Sequence, residues 1–399
     1  TRAYAREKLD ASGELPGTAL RHVRYLAGLF DAADARTVRS GHRTEMLALL
    51  IAELEDVRVA LDSASSDAAV EAGRELLAAI GARWLFVGLG DEALARLERL
   101  LALVPPAEPR YASRLWEAVA RIETEQRPAR ALEAAARAVE LAREAGDPAT
   151  LADACLTHAA SLTMAKDFAA AARAIAEAEG LAPAGNASLR VRILDRKANL
   201  ALTSGDLEMA ARLYEAQLKM SEQCGEQNHV APGNLAEIEH ERGQAQRALM
   251  LAQRALAALR PGRDRESILW LLVNSCGYLV ALDRYPEARA AAHELFAKAT
   301  DHDRVGVTPT IAVEHLALAI ALEGDVIRGA RLAGYTTATF ARLGFERQYT
   351  ERTTRARLEA LLDEKLAADE RDALLAQGAA LAATDAIALA TVEPPAPDP

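Results

Sequence analysis

Apolar and small side chains recur along this chain at spacings of three and four residues, interrupted by short polar turns. The stretch 198–218, A-N-L-A-L-T-S-G-D-L-E-M-A-A-R-L-Y-E-A-Q-L, shows the unit. One helix runs into a turn at Ser204-Gly205-Asp206, and a second begins with small Ala210 close behind it. Aligning that turn and small residue elsewhere gives Ala93, Ala131, Ala171, Ala210, Ala248, Ala288 and Gly329, spaced by 38, 40, 39, 38, 40 and 41 residues. Four residues further on, Ala135, Ile175, Tyr214, Ala252, Ala292 and Ala333 repeat the apolar or small character. A small residue early in the second helix lets the first helix of its pair approach closely. A single pair cannot bury its apolar face, so the register predicts stacked pairs.

Before the repeats, Tyr4 and Leu9 lie on a helical pattern that Gly13 closes as a C-cap. Further helices are expected over 20–33 and 44–62, and Ser66 or Asp67 is the expected N-cap of the next. The pattern opens in mid-helix, which reads as the C-terminal part of a longer protein; loss of an initiator methionine before Thr1 is the alternative. After the repeats, capping helices are expected over 350–364 and 369–376, with a last one from Thr384 or Asp385. The expected division is connector helices over 1–64, repeats over 65–345, caps over 346–390 and a disordered, proline-rich acidic tail over 391–399.

Composition narrows the class. Hydrophobic residues make up 51% of the chain but aromatics only 4%, so the core relies on close helix approach and the protein is all-α. A net charge of −11 and a pI near 5.4 argue against direct contact with nucleic acid, and the charges are mixed as on a solvated helical surface. Cys155, Cys224 and Cys276 form no C-x-x-C, which fits small core residues in a reducing cytoplasm. The apolar runs are too short for a membrane span.

The units Gly205-Asp-Leu-Glu-Met-Ala210 and Asp167-Phe-Ala-Ala-Ala171 resemble the tetratricopeptide repeat. The period is longer than that family's usual ~34 residues. Two further stretches are similar to the C-terminal domain of large ATP-dependent bacterial transcriptional regulators of the winged-helix, signal-transduction ATPase type. They are A-Y-A-R-E-K-L-D-A-S-G-E with Arg21-His22-Val23-Arg24-Tyr25, and Gly329-Ala-Arg331-Leu332-Ala333-Gly334-Tyr335 with the segment 374–389 around Gly378. Related arrays are also appended to cyclases and kinases. The resemblance implies a right-handed superhelix of about seven helix pairs, with ATP and Mg expected only in a preceding module and no cofactor in this chain.

It also implies that the first helix of each pair lines a concave face. By register, Trp116, then Arg192, Asp195, Arg196 and Asn199, then Asn234, Glu237 and His240, then Trp270 and Asn274, then Glu314 and His315 are the candidate groove residues. Indole area combined with amide and charged groups suits a binding surface; a solvated concave face is polar in any case. Asn199 and Asn234 hold the register of a carboxylate-clamping array, but Asp195, Trp270 and Asn274 stand where that clamp has bases.

No catalytic or metal constellation emerges. Gly88-Leu89-Gly90 reads as a repeat turn and lacks a phosphate loop's preceding strand, Asp301-His302-Asp303 lacks further ligands, and the segment 224–229 reads as a polar loop. The expected function is a non-enzymatic sensor and interaction domain for a protein partner or small-molecule inducer, without membrane contact, and self-association is left open. A free-standing scaffold that binds peptides, or the regulatory tail of a cyclase or kinase, is the alternative.

Overall fold

The computed structural model describes residues 2–40, 43–63, 67–103, 108–124, 126–183, 185–223, 230–259, 265–299 and 306–392. Thr1, Ser66, the segment 224–229, Arg260-Pro261-Gly262, Asp301-His302-Asp303 and the tail 393–399 lie outside the described residues. Every regular element among the described residues is a helix, and none of these helices is long and apolar enough to cross a membrane.

The chain divides into two compact units, 1–228 and 229–399. The first holds α1 (Arg2–Ala11), α2 (Leu15–Ser40), α3 (Arg43–Asp62), α4 (Asp67–Ile80), a 3₁₀ segment (Gly81–Val87) and α5 (Gly90–Leu101). Three pairs follow: α6 (Pro109–Glu123) with α7 (Pro128–Ala145), α8 (Pro148–Met164) with α9 (Phe168–Gly180), and α10 (Ala187–Thr203) with α11 (Leu207–Gln223). The second holds the pairs α12 (Val230–Glu241) with α13 (Ala245–Leu259), α14 (Arg265–Ala281) with α15 (Tyr285–Lys298), and α16 (Val307–Leu322) with α17 (Val326–Leu343). Three closing helices are α18 (Tyr349–Lys365), α19 (Ala368–Ala379) and α20 (Ala383–Thr391). The architecture is an all-α repeat of helix pairs, as the register predicts.

The pairs are built from their turns outward. Gly205, Gly243 and Gly324 take left-handed φ values of 88°, 78° and 106°, while Lys166 (61°) and Asp283 (57°) adopt the same region without glycine. The next residue then starts the second helix in three of these turns: Asp167, Asp206 and Asp325 accept the backbone N–H three positions on. The aligned small residues follow. Ala93, Ala131, Ala171, Ala210, Ala248 and Ala288 are all completely or almost completely buried. At Gly329 even a methyl is too large, because a Cβ there would lie 2.8 Å from the Cβ of Ala321 and 3.0 Å from the carbonyl oxygen of Ala317. The apolar or small residues four positions on are buried too, so each pair closes along two buried positions, the first of them small. Cys155 and Cys276 are free and buried in these cores.

The array departs from its register at the start. The turn before Ala93 is preceded by the 3₁₀ segment rather than by a full first helix, because Gly81 (φ 59°) ends α4 and the fully buried Trp84 fills the space behind it. The second helix is also longer than the expected 20–33, since no Gly or Pro interrupts the chain between Gly28 and Gly41. Gly13 does close α1 in the left-handed conformation (φ 71°).

At the other end α19 lies along α17 with backbone against backbone. A Cβ on Gly378 would stand 1.8 Å from the carbonyl oxygen of Arg331, and one on Gly334 would stand 2.1 Å from that of Leu375. Gly378→Ala must therefore push the two helices apart. Urea unfolding should show a loss of about 1–3 kcal/mol or more. Gly28→Ala, in mid-helix with open space around the added methyl, should instead raise stability by about 0.5–1 kcal/mol in the same measurement.

Candidate functional site

In unit 1 the first helices of successive pairs stack on one another, α6 on α8 and α8 on α10. This carries a ladder of half-exposed polar groups from helix to helix. Trp116 is half-buried and packs against both hydrophobic clusters of the unit. Beside it, Glu117 accepts a hydrogen bond from the Thr157 hydroxyl (3.3 Å), forty residues on. Asp153 accepts one from the Arg192 guanidinium (2.6 Å), thirty-nine residues on. The Nη2 of Arg196 lies 3.4 Å from the Asp195 carboxylate. The Nε2 of Gln217 donates to that carboxylate across 3.4 Å, and the Asn199 amide is spent on the carbonyl of Asp195 one turn earlier (2.9 Å). Burial, then the nearby Asp153 carboxylate, push Glu117 well above the usual carboxyl range against the pull of Arg192, Arg114 and Arg121. Its Oε1 is buried with no hydrogen-bond partner. The expected residues Trp116, Arg192, Asp195, Arg196 and Asn199 thus occupy a face that solvent reaches. Two carboxylates not among them also belong to this face: Glu117, whose carboxyl is strongly raised, and Asp153, which is paired directly with Arg192.

In unit 2 the corresponding face is closed. There α18 stacks on α16 and also reaches α12 and α14. Asn234, Glu237 and Trp270 remain half-buried, but His240 and Asn274 are buried and Glu314 and His315 are completely so. Glu314 and His315 therefore do not line an open groove; α18 covers the face on which the repeat register places them. Glu314 is held as a buried ion pair. Arg347 clamps it through Nε (2.8 Å to Oε2) and Nη2 (2.6 Å to Oε1), Thr336 donates to it at 3.0 Å, and Arg355 stands 3.7 Å away. His315 Nδ1 bonds the Thr354 hydroxyl at 2.9 Å, and Asn274 donates to Glu237 at 2.6 Å. Burial, with the neighbouring charges of Glu351 and Glu241, raises Glu237 to about 7 although the Asn274 hydrogen bond opposes it. Burial, helped by His240, lowers His315 to about 3.

The residues that sequence reasoning missed were reachable by applying the repeat register to contacts. Pairs about one repeat apart touch: 117 with 157, 153 with 192, 237 with 274 and 315 with 354.

No family model matches the chain, and no curated protein does. Solved structures do. The chain is similar to a Rap protein solved in complex with competence and sporulation factor, with 13% identity and a TM-score of 0.55 over 91% of this chain and 99% of that one. It is also similar to a signal transduction ATPase with numerous domains carrying a tetratricopeptide repeat sensor, from Pyrococcus horikoshii. That likeness has 15% identity and a TM-score of 0.50 over 88% of this chain, which spans 55% of that one. A tetratricopeptide repeat protein from Parabacteroides merdae is 14% identical over 67% of this chain and 96% of that one, with a TM-score of 0.47. The fold is of the tetratricopeptide-repeat type. In this repeat fold the first helices carry the polar ladder, and their partners carry the small-residue contacts.

Replacing Arg347 with Met takes the clamping guanidinium from the buried Glu314 and leaves it the Thr336 hydroxyl and the more distant Arg355. We expect a loss of about 3 kcal/mol in urea unfolding of unit 2, most of it recovered in the double variant Glu314→Leu/Arg347→Met.

Proposed function

We propose that this chain is a non-enzymatic sensor and interaction domain that receives a partner protein, peptide or small inducer on the first-helix face of unit 1. The observation that carries this reading is the ladder Trp116, Glu117, Asp153, Thr157, Arg192 and Arg196. Apart from the buried Thr157 it is half-exposed, it is cross-linked between consecutive repeats, and it supplies both charge signs beside an indole. A ligand bridging α6, α8 and α10 would set the spacing of three helices at once, which couples binding to curvature. Half-exposed Asp–Arg pairs of this kind contribute little stability of their own, so they are free to exchange partners.

The similar structures support the reading in kind: one was solved with competence and sporulation factor bound, and another carries its repeats as a sensor. We further propose that the domain serves a bacterial ATP-dependent transcription regulator in the cytoplasm, with the nucleotide and DNA chemistry in another module. The acidic balance of this chain supports that division of labour.

A random dodecapeptide library displayed on phage provides the test. Selected peptides should bind wild type and lose at least tenfold in affinity to Arg192→Glu and Asp153→Lys variants. Met250→Ala, an exposed side chain on α13 in the other unit, should leave binding unchanged. Peptides that bind all variants equally would move the site off this ladder. A library and a metabolite panel that both leave the melting temperature unmoved would end the sensor reading.

A further inference from the structure

The three first helices of unit 2 and the closing helix α18 meet in one buried polar cluster. The His240 ring of α12 lies 4.8 Å from the Tyr278 ring of α14 and 5.9 Å, edge-on, from the Tyr349 ring of α18. The Tyr349 hydroxyl donates to the carbonyl of Glu241 on α12 at 3.0 Å. At Gly277 of α14 there is no room for a side chain. A Cβ there would lie 2.9 Å from both the His315 ring of α16 and the Thr350 methyl of α18. So the first turn of α18 and Thr354 seat it on α12, α14 and α16 through polar groups, while Leu358 and Leu362 further along bury in the apolar core.

The geometry states which protonation this seat tolerates. An imidazolium needs an acceptor for each ring N–H. His315 has Thr354 at Nδ1, but its Nε2 is buried without a partner, and so is the Nδ1 of His240. Both rings are therefore neutral when α18 is in place. Glu237 faces the opposite difficulty. It accepts one hydrogen bond from Asn274, looks toward the carboxylates of Glu351 on α18 and Glu241 on its own helix, and has no cation of the cluster beside it. The guanidinium groups that α18 and the loop before it bring to this face, those of Arg355 and Arg347, are directed at Glu314. On α14, Tyr278 adds only a buried hydroxyl without a partner. A protonated carboxyl at Glu237 removes the repulsion.

We propose that α18 is a detachable strap whose seating moves a proton within unit 2: in the seated state Glu237 holds it and His240 and His315 are neutral, whereas in the released state the carboxyl is ionised and an imidazole takes it up. No proton need be gained or lost overall, so the strap stays seated across a pH range in which either group alone would eject it. Release would uncover the α12, α14 and α16 faces, including Glu314 and His315.

The signs follow from the two environments. Glu237 is raised from 4.5 to about 7 in the seated state, so its contribution is full below 4.5 and is lost as pH rises toward 7. Glu351, also raised by burial, acts in the same direction. His315 is lowered from 6.5 to about 3, so its contribution is full above 6.5 and is lost as pH falls toward 3. His240, lowered by burial, acts with it. Between 4.5 and 6.5 the two sets oppose each other.

Hydrogen–deuterium exchange over residues 349–365 tests this, corrected for the intrinsic exchange rate at each pH and referred to α15. Wild-type protection should change less than about threefold between roughly pH 5 and 6.5, because opposed single-proton slopes of up to tenfold per pH unit cancel. In Glu237→Gln the two histidines are opposed by Glu351 alone, and protection should fall about tenfold as pH is lowered across that range. In His315→Gln it should fall about as much as pH is raised. Variant slopes of the same sign, or equal to wild type, overturn the proposal. So does α18 exchange that always tracks α15, since the strap would then not detach by itself. If either variant fails to fold, Glu351→Gln and His240→Gln carry the same test with the same respective signs.

Discussion

Close approach between the two helices of each pair is the constraint on which everything else in this chain depends. Alanine, and once glycine, stands where the second helix begins, and each of these positions is buried to the point where an added methylene has nowhere to go. Core contact at this distance needs no large aromatic anchors, which explains how a chain with so few of them builds so long an array. It also consumes the inner surface of every second helix. The chemistry of the chain is thereby left to the first helices, whose outer faces are not needed for pairing.

The same repeat then yields two environments. In unit 1 the first-helix face stays half-exposed and carries ion pairs between neighbouring repeats. In unit 2 α18 covers the equivalent face, and the same kinds of side chain become buried polar groups that must be paired, neutralised or left wanting. Glu314 is paired by Arg347, Glu237 is driven toward its neutral form, and His315 is left with one ring nitrogen unanswered. One set of positions thus behaves as a surface in one unit and as a core in the other.

That contrast also marks how far the chain could be read from its letters. The turn at Gly205, the packing of Ala210 and the left-handed cap at Gly13 follow from local rules and appear where those rules put them. The 3₁₀ segment does not, because Gly81 can end a helix or pass unnoticed within one, and the buried volume of Trp84 decides between them. Trp116 and Arg192 sit on an accessible face as the register implies, whereas Glu314 and His315, at equivalent positions, do not. Nothing at 314 or 315 signals this. Their burial is set by a helix that starts more than thirty residues later and belongs to no repeat. Glu117 and Asp153 escaped notice for a related reason: their significance lies in partners one repeat away.

Where α17 and α19 cross, backbone meets backbone directly at Gly334 and Gly378. Elsewhere a core contact can drift by compensating swaps, a larger residue opposite a smaller one. Here there is nothing smaller to exchange. Helix α19 is therefore keyed to the last repeat like a fixed end-stop. Repeats added or removed further up leave this key intact, but a foreign last repeat would accept α19 only if it brought its own glycine to the crossing.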